Sequence, residues 1–283
     1  MVVETIDLYE YFHIPRGGAK GGYLTAYRHG QLVSSDKKIR PALLVIPGGG
    51  YAMVSDREGE PVALRYFGAG FDCFTLDYSV APEHYPAQIL QAGMAMLYLR
   101  REAAALDLDG QHIAAVGFSA GGHLCGCISL RWDDAALVQA FGKEACEAIR
   151  PDASIFAYPV ITSDERYTHA GSFINFCGDK VRAEEYSLEK NVRPNAPHSF
   201  IWSTSEDEAV PPENALLLYS ALRRAGVTAE LHIFEKGCHG MSLCNIETSW
   251  CDEPSAPISG HNAHWIEMSQ EFLAEHGFAV HKG

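Results

Sequence analysis

The chain has 283 residues, 47% of them hydrophobic and 20% charged, which suits one α/β domain with a sizeable buried core. Its formal net charge is −14, from 36 Asp and Glu against 22 Lys and Arg, so there is no basic surplus to neutralise nucleic-acid phosphates or an anionic membrane surface. No run of about 18 apolar residues is long enough to span a bilayer. The opening "MVVETIDLYEYFHIP" lacks the basic, apolar and small-residue regions of a secretory leader, and a cytoplasmic protein is expected. In that compartment the eight cysteines read as reduced, small packing residues. No Cys-x-x-Cys or His-x-x-x-His spacing points to a metal.

Strand-like and helix-like stretches alternate along the chain. "PALLVIPGGGY" (Pro41 to Tyr51) is an apolar run closed by glycines, which predicts a buried strand entering a loop. "EGEPVALRYFGAG" has helical spacing and stops at Gly68 and Gly70. "FDCFTLDY" is the next strand, and Pro82 and Pro86 punctuate a loop before a long amphipathic helix, "PAQILQAGMAMLYLRREAAAL". "HIAAVGF" is a short buried strand, followed by a helix from about Ala120.

In the second half, "ASIFAYPVI" and "HSFIWSTS" predict strands, separated by an irregular stretch from about 163 to 197. "PPENALLLYSALRRAG" is a helix with Pro at its start and Gly226 at its end. "AELHIFEKG" alternates as a strand, and "NAHWIEMSQEFLAEHG" closes the chain as a helix ending at Gly277. This order predicts a single α/β domain over 1–283, a mostly parallel central sheet with helices on both faces. Chemistry is then expected in the loops at the carboxyl ends of the strands.

Gly117-Phe118-Ser119-Ala120-Gly121 fits G-x-S-x-G, and its setting between a predicted strand and a predicted helix gives the pattern weight. A serine on such a turn takes strained backbone angles, so the positions two residues away must be small. Its hydroxyl needs a base and an orienting acid, which for this turn follow in the order acid, then histidine. His239, in the glycine-flanked loop "FEKGCHGMS", is the candidate base. His112, His123, His169, His198, His232, His261 and His264 lie within predicted elements or lack such a loop. The acid is sought after "SFIWSTS", where Glu206, Asp207 and Glu208 compete; the short side chain of Asp207 makes it the choice, with Glu206 the nearest rival. Pro47-Gly48-Gly49-Gly50-Tyr51 lets main chain approach a substrate closely, and no Lys-Ser/Thr follows to make it a phosphate cradle. Together with the N–H of Ala120, this loop is a candidate oxyanion hole, in which each backbone donor is worth ~3 kcal/mol. Tyr51 is a candidate substrate contact, with a core position as its alternative.

These pieces, in this order, resemble the α/β-hydrolase fold. "PGGGY", "SDREGEPVA", "LDYSVAPEHYPAQ", "VGFSAGGHL", "SEDEAVPPENALLLYSALRRAGV" and "ELHIFEKGCHGMS" are similar to esterases related to hormone-sensitive-lipase-type enzymes. Within that branch they look closest to acetyl-xylan or feruloyl esterase-like proteins. The resemblance spans roughly Pro41 to Leu243. It implies Ser119 as nucleophile, His239 as base and Asp207 as acid, the last supported by its Asp-x-x-Val-Pro spacing. It also implies oxyanion amides from Gly49, Gly50 and Ala120. Pro47 stands where the lipase-like branch carries the histidine of His-Gly-Gly-Gly, and the Asp-Pro-Leu acid motif is absent; both departures suit the sugar-esterase subgroup. The segments near 163–197 and 244–262 are candidates to cover the site.

The expected function is hydrolysis of small, short-chain acyl esters, chiefly acetyl esters of sugars, through an acyl-enzyme and without a cofactor. The partner is a small-molecule ester, with no nucleic acid and no membrane. The alternatives are an amide or peptide hydrolase of the same fold, arylformamidase-like or small prolyl-peptidase-like, and a non-catalytic binder that kept the fold.

Overall fold

The structure is a computed structural model that describes residues 1–31, 34–178, 182–249 and 259–283. Its strands are β1 (Val2–Asp7), β2 (Tyr23–Arg28), β3 (Lys38–Ile46), β4 (Asp72–Asp77), β5 (Leu108–Phe118), β6 (Ala153–Ala157), β7 (His198–Thr204), β8 (Ala229–Phe234) and β9 (His281–Lys282). The α-helices are α1 (Leu8–Tyr11), α2 (Glu60–Gly68), α3 (Ala87–Leu106), α4 (Ala120–Leu130), α5 (Ala135–Phe141), α6 (Lys143–Cys146), α7 (Ala170–Cys177), α8 (Glu213–Arg224) and α9 (Trp265–Glu275).

The strands form one sheet in the order β1-β2-β4-β3-β5-β6-β7-β8, with β9 pairing antiparallel to the start of β3. From β4 to β8 every neighbouring pair is parallel, while β1 and β2 are antiparallel to their neighbours. The central strands are apolar on both faces because helices cover both. Leu44, Ile46 and Ala115 pack with α3, α4 and α8 on one side; Leu43, Val45, Ala114, Val116 and Phe118 pack with α2 and α9 on the other. The expected alternation is present. β1, α1, β2, α5, α6 and β9 have no counterpart among the elements predicted from sequence, and α7 lies within the stretch 163–197 predicted to be irregular. Six of the seven described cysteines are buried. No helix among the described residues is long and apolar enough to cross a membrane.

Helix α4 is buried along its whole length and lies very close to the sheet. A Cβ on Gly117 would stand 2.3 Å from the Gly121 carbonyl oxygen. A Cβ on Gly121 would stand 2.2 Å from the carbonyl oxygens of both Ile46 and Pro47. Glycine is therefore required on either side of Ser119 by backbone-to-backbone contact, which no rotamer change relieves. Gly121→Ala is expected to lower stability by about 2–3 kcal/mol. Gly68→Ala, where a Cβ meets nothing within 4 Å, is expected to be neutral or to stabilise by up to ~1 kcal/mol. Urea midpoints at constant m-value measure both.

Candidate active site

Ser119 sits between the end of β5 and the start of α4 with φ 52° and ψ −119°. A non-glycine residue in such a conformation costs of order 1–3 kcal/mol and persists only where its surroundings over-determine it. Here its N–H donates to the Ala157 carbonyl (3.0 Å), and its carbonyl accepts from the N–H groups of His123 (3.2 Å) and Val160 (3.0 Å). The end of β6 and the first turn of α4 thus hold the serine from both sides. The turn delivers the Ser119 hydroxyl to 2.7 Å from His239 Nε2.

His239 Nδ1 lies 2.7 Å from Asp207 Oδ2. A carboxylate only accepts, so Nδ1 carries the proton and the lone pair of Nε2 faces the serine O–H. Asp207 follows β7 and is buried. Its other oxygen, Oδ1, accepts from the N–H groups of Ala209 (3.1 Å) and Val210 (2.9 Å). A short side chain can close this turn on its own backbone and still reach the histidine, which separates Asp207 from the flanking glutamates. Glu206 instead braces the histidine loop, its Oε2 accepting from the Gly237 N–H at 3.0 Å. Gly237 has φ 133°, and a Cβ there would press to 2.5 Å from Met241 Sδ.

The glycine loop after β3 reaches over the serine, close enough that a Cβ on Gly48 would stand 2.9 Å from Ser119 Cβ. Gly49 and Gly50 have φ of 117° and 64°. A Cβ on Gly49 would stand 2.2 Å from the Met53 carbonyl oxygen, so the loop needs glycine there for space as well as for conformation. The N–H groups of Gly49, Gly50 and Ala120 make no hydrogen bond among the described residues, leaving three donors unspent beside the hydroxyl.

Tyr51 requires a correction. Its side chain is fully buried, with its hydroxyl 2.9 Å from His123 Nδ1 and its ring packed against Tyr78 and Phe176. Tyr51 is therefore a core residue beneath the loop and does not reach a substrate; a left-handed backbone (φ 56°) turns its side chain inward.

Several residues outside the sequence-derived set shape the site. Glu58 is buried, accepts from the Gly48 N–H through Oε2 (2.7 Å) and from the Tyr158 hydroxyl through Oε1 (2.7 Å). The same hydroxyl accepts from the Ser242 N–H at 2.9 Å. One carboxylate thereby ties the glycine loop to the end of β6 and to the segment after His239. Burial, reinforced by Glu58, pushes the Tyr158 phenol well above its ordinary pKa and keeps it a donor. Arg57 Nη1 donates to the carbonyls of Gly240 (3.0 Å) and Thr248 (2.8 Å). Asn175 Nδ2 donates to the Gly50 carbonyl at 2.9 Å.

A cavity of about 430 Å³ opens above these groups, lined by Gly49, Gly50, Met53, Ser119, His169 and His239 among others. His169, which lacks a glycine-flanked loop like that of His239, is thus a second imidazole in the cleft. Of the two segments expected to cover the site, the first contributes His169, Gly171 and Asn175 to the cleft wall. Residues 179–181 of that segment and 250–258 of the other lie outside the described residues.

A strand–turn–helix serine at the centre of a mostly parallel sheet, with its acid after β7 and its histidine after β8, places the chain among the α/β-hydrolases. The BD-FAE family matches residues 31–222, and the chain belongs to it. It is 37% identical over 233 residues to endo-1,4-beta-xylanase B of Butyrivibrio fibrisolvens, a match covering 79% of this chain and 35% of the relative. It is 31% identical over 210 residues to the acetylxylan esterase of Xylanibacter ruminicola, covering 71% of this chain and 41% of the relative. The chain thus spans well under half the length of these two relatives. The crystal structure of an acetyl ester-xyloside bifunctional hydrolase from Caldicellulosiruptor lactoaceticus superposes with a TM-score of 0.81 at 30% identity, covering 97% of each chain.

Glu58→Ala would strand the buried Gly48 N–H and Tyr158 O–H, each at about 1–3 kcal/mol. The expected outcome is a stability lowered by about 2–4 kcal/mol, read from the urea midpoint at constant m-value, together with an at least roughly tenfold slower reaction of Ser119 with a fluorophosphonate, since small misplacements of reacting groups are costly. Intact-protein mass spectrometry over time reads the second effect.

Proposed function

We propose that this chain is a serine carboxylesterase that removes short acyl groups, chiefly acetyl, from sugars or oligosaccharides. The observation that carries this reading is the hydrogen-bonded run Ser119–His239–Asp207 beside the unspent amides of Gly49, Gly50 and Ala120. Ser119 Oγ attacks the ester carbonyl carbon while its proton passes to His239 Nε2. The carbonyl oxygen becomes an oxyanion and takes the free amide hydrogens, which need no reorganisation to receive it. Asp207 keeps the imidazole in the required tautomer and stabilises the imidazolium. Collapse of the intermediate breaks the bond to the alcohol oxygen, which leaves with the proton from Nε2 as a free hydroxyl. The acyl group remains on Ser119. A water then repeats the sequence, giving its proton to Nε2 and its oxygen to the acyl carbon, and the carboxylic acid departs.

The preference for sugar acetates draws on the kinship with an acetylxylan esterase and with an acetyl ester-xyloside hydrolase. Ser119→Ala is expected to lower kcat by at least ~10⁴-fold and to leave the urea midpoint near that of the parent chain. Asp207→Asn, which presents a donor where His239 needs an acceptor, is expected to cost about 10⁴ in kcat. A panel of 4-nitrophenyl acetate, acetylated xylo-oligosaccharide, N-formylkynurenine and a prolyl anilide tests the substrate class. Turnover of an amide alone would contradict the ester reading, and a folded protein inert to the whole panel and to a fluorophosphonate would mark a binder.

A further inference from the structure

Beyond the groups that perform the chemistry, the cleft holds two polar side chains from one short helix, His169 and Asn175. His169 is the N-cap of α7. Its Nδ1 accepts from the Ser172 N–H at 3.3 Å, a bond that N–H shares with the His169 carbonyl at 3.0 Å, and lies 2.8 Å from Ser172 Oγ. A ring nitrogen that accepts a backbone N–H carries no proton, so the proton of the neutral ring sits on Nε2. Burial, and after it the neighbouring His239, holds the His169 imidazole below its ordinary pKa and favours that neutral form. Nε2 has no hydrogen-bond partner among the described residues, although Nδ1 does. The ring lies against the glycine loop, with its Cε1 3.8 Å from where a Cβ on Gly50 would stand. Imidazole Nε2–H is therefore a fixed, unspent donor at the rim of the reacting centre.

Asn175 supplies the opposite polarity. The Gly50 carbonyl can only accept, so the amide nitrogen of Asn175 faces it at 2.9 Å. The Oδ1 of the same amide has no partner among the described residues and is left as an acceptor. Holding one end of the amide on Gly50 also fixes where the other end lies. A hydroxyl group both donates and accepts, and matches this pair; an alkyl leaving group presents neither function, and a nitroaryl one offers only weakly accepting nitro oxygens and no donor for Asn175 Oδ1.

We propose that His169 and Asn175 form a leaving-group subsite that recognises a hydroxyl of the alcohol half of the ester, with His169 Nε2–H donating to it and Asn175 Oδ1 accepting from it. This rests on the ester-hydrolase reading above and adds to it a specificity determinant: a polyhydroxylated alcohol is selected over a plain one. Selection arises because a site built to hydrogen-bond a hydroxyl discriminates against a substrate that lacks one.

The test compares kcat/KM for an acetylated xylobiose with kcat/KM for 4-nitrophenyl acetate, in the full chain and in three variants at position 169. His169→Asn keeps a cap, because a side-chain oxygen takes the place of Nδ1, but it removes the donor at the reach of Nε2. The sugar-to-nitrophenyl ratio is expected to fall about tenfold, the size of one hydrogen bond, and mostly through KM for the sugar ester. His169→Ser, also a favoured cap with no donor at that reach, is expected to give the same fall and keeps the test alive if the Asn variant folds poorly. His169→Gln, whose amide nitrogen reaches about as far as Nε2, is expected to restore part of the ratio. A ratio that stays within about twofold of the parent in both Asn and Ser variants, or rates that drop equally on both esters, overturns the subsite. If the parent chain hydrolyses neither ester, it is the esterase reading that fails.

Discussion

A serine held at φ 52° is under strain that its own side chain cannot relieve, and the neighbouring structure is organised around that constraint. The turn requires that α4 begin almost against the ends of β3 and β5. Such proximity is possible only with glycine at 117 and 121, where any Cβ would strike backbone oxygen. Packing of this kind gives the site its rigidity. The first residues of α4 are fixed by the same contacts that bend the chain, so the Ala120 amide and the Ser119 hydroxyl are set relative to each other before any substrate arrives. Preorganised donors of that kind stabilise developing charge without reorganising when it appears.

A second layer of order comes from Glu58. Its carboxylate bonds to Gly48 in the glycine loop and to Tyr158 after β6, and Tyr158 in turn holds Ser242, three residues beyond His239. Arg57, its neighbour, grips the carbonyls of Gly240 and Thr248. The hydroxyl of Ser242 returns a bond to the Arg57 carbonyl at 2.7 Å. Loops from three separate strand ends are therefore cross-linked at the site by buried and part-buried polar contacts. Such a network is worth more than its separate bonds, because each lost partner leaves another buried group unsatisfied.

Most of the sheet was legible in the sequence because β3, β5, β6 and β7 are buried on both faces and read as continuous apolar runs. The edge strands were not: β1 is largely exposed and β2 alternates, so neither stands out from a polar N-terminus. Helix α7 was missed because it is only eight residues long and is capped by an imidazole in place of the usual Ser, Thr, Asp or Asn. Ser119, Asp207 and His239 could be picked out because each follows a strand and each carries a local mark: flanking glycines, a short carboxylate before Val-Pro, and a glycine-bounded loop. Glu58 carries no such mark. Its partners lie at positions 48 and 158, and no sequence spacing joins them. His169 was passed over for a related reason, since it reaches the cleft from a helix cap. Tyr51 was misjudged because adjacency to a glycine loop says nothing about which side of the loop a side chain takes.

In the proposed reaction Ser119 carries the acyl group between the two halves of the reaction. Rapid acid quenching of the chain with acetylated xylobiose, followed by peptide mapping, tests it most directly. A transient acetyl group is expected on the peptide containing Ser119, formed within the first turnover and lost as substrate is consumed. Hydrolysis of the ester with no acetyl group on Ser119 at any time, or with the acetyl group on another residue, would contradict it.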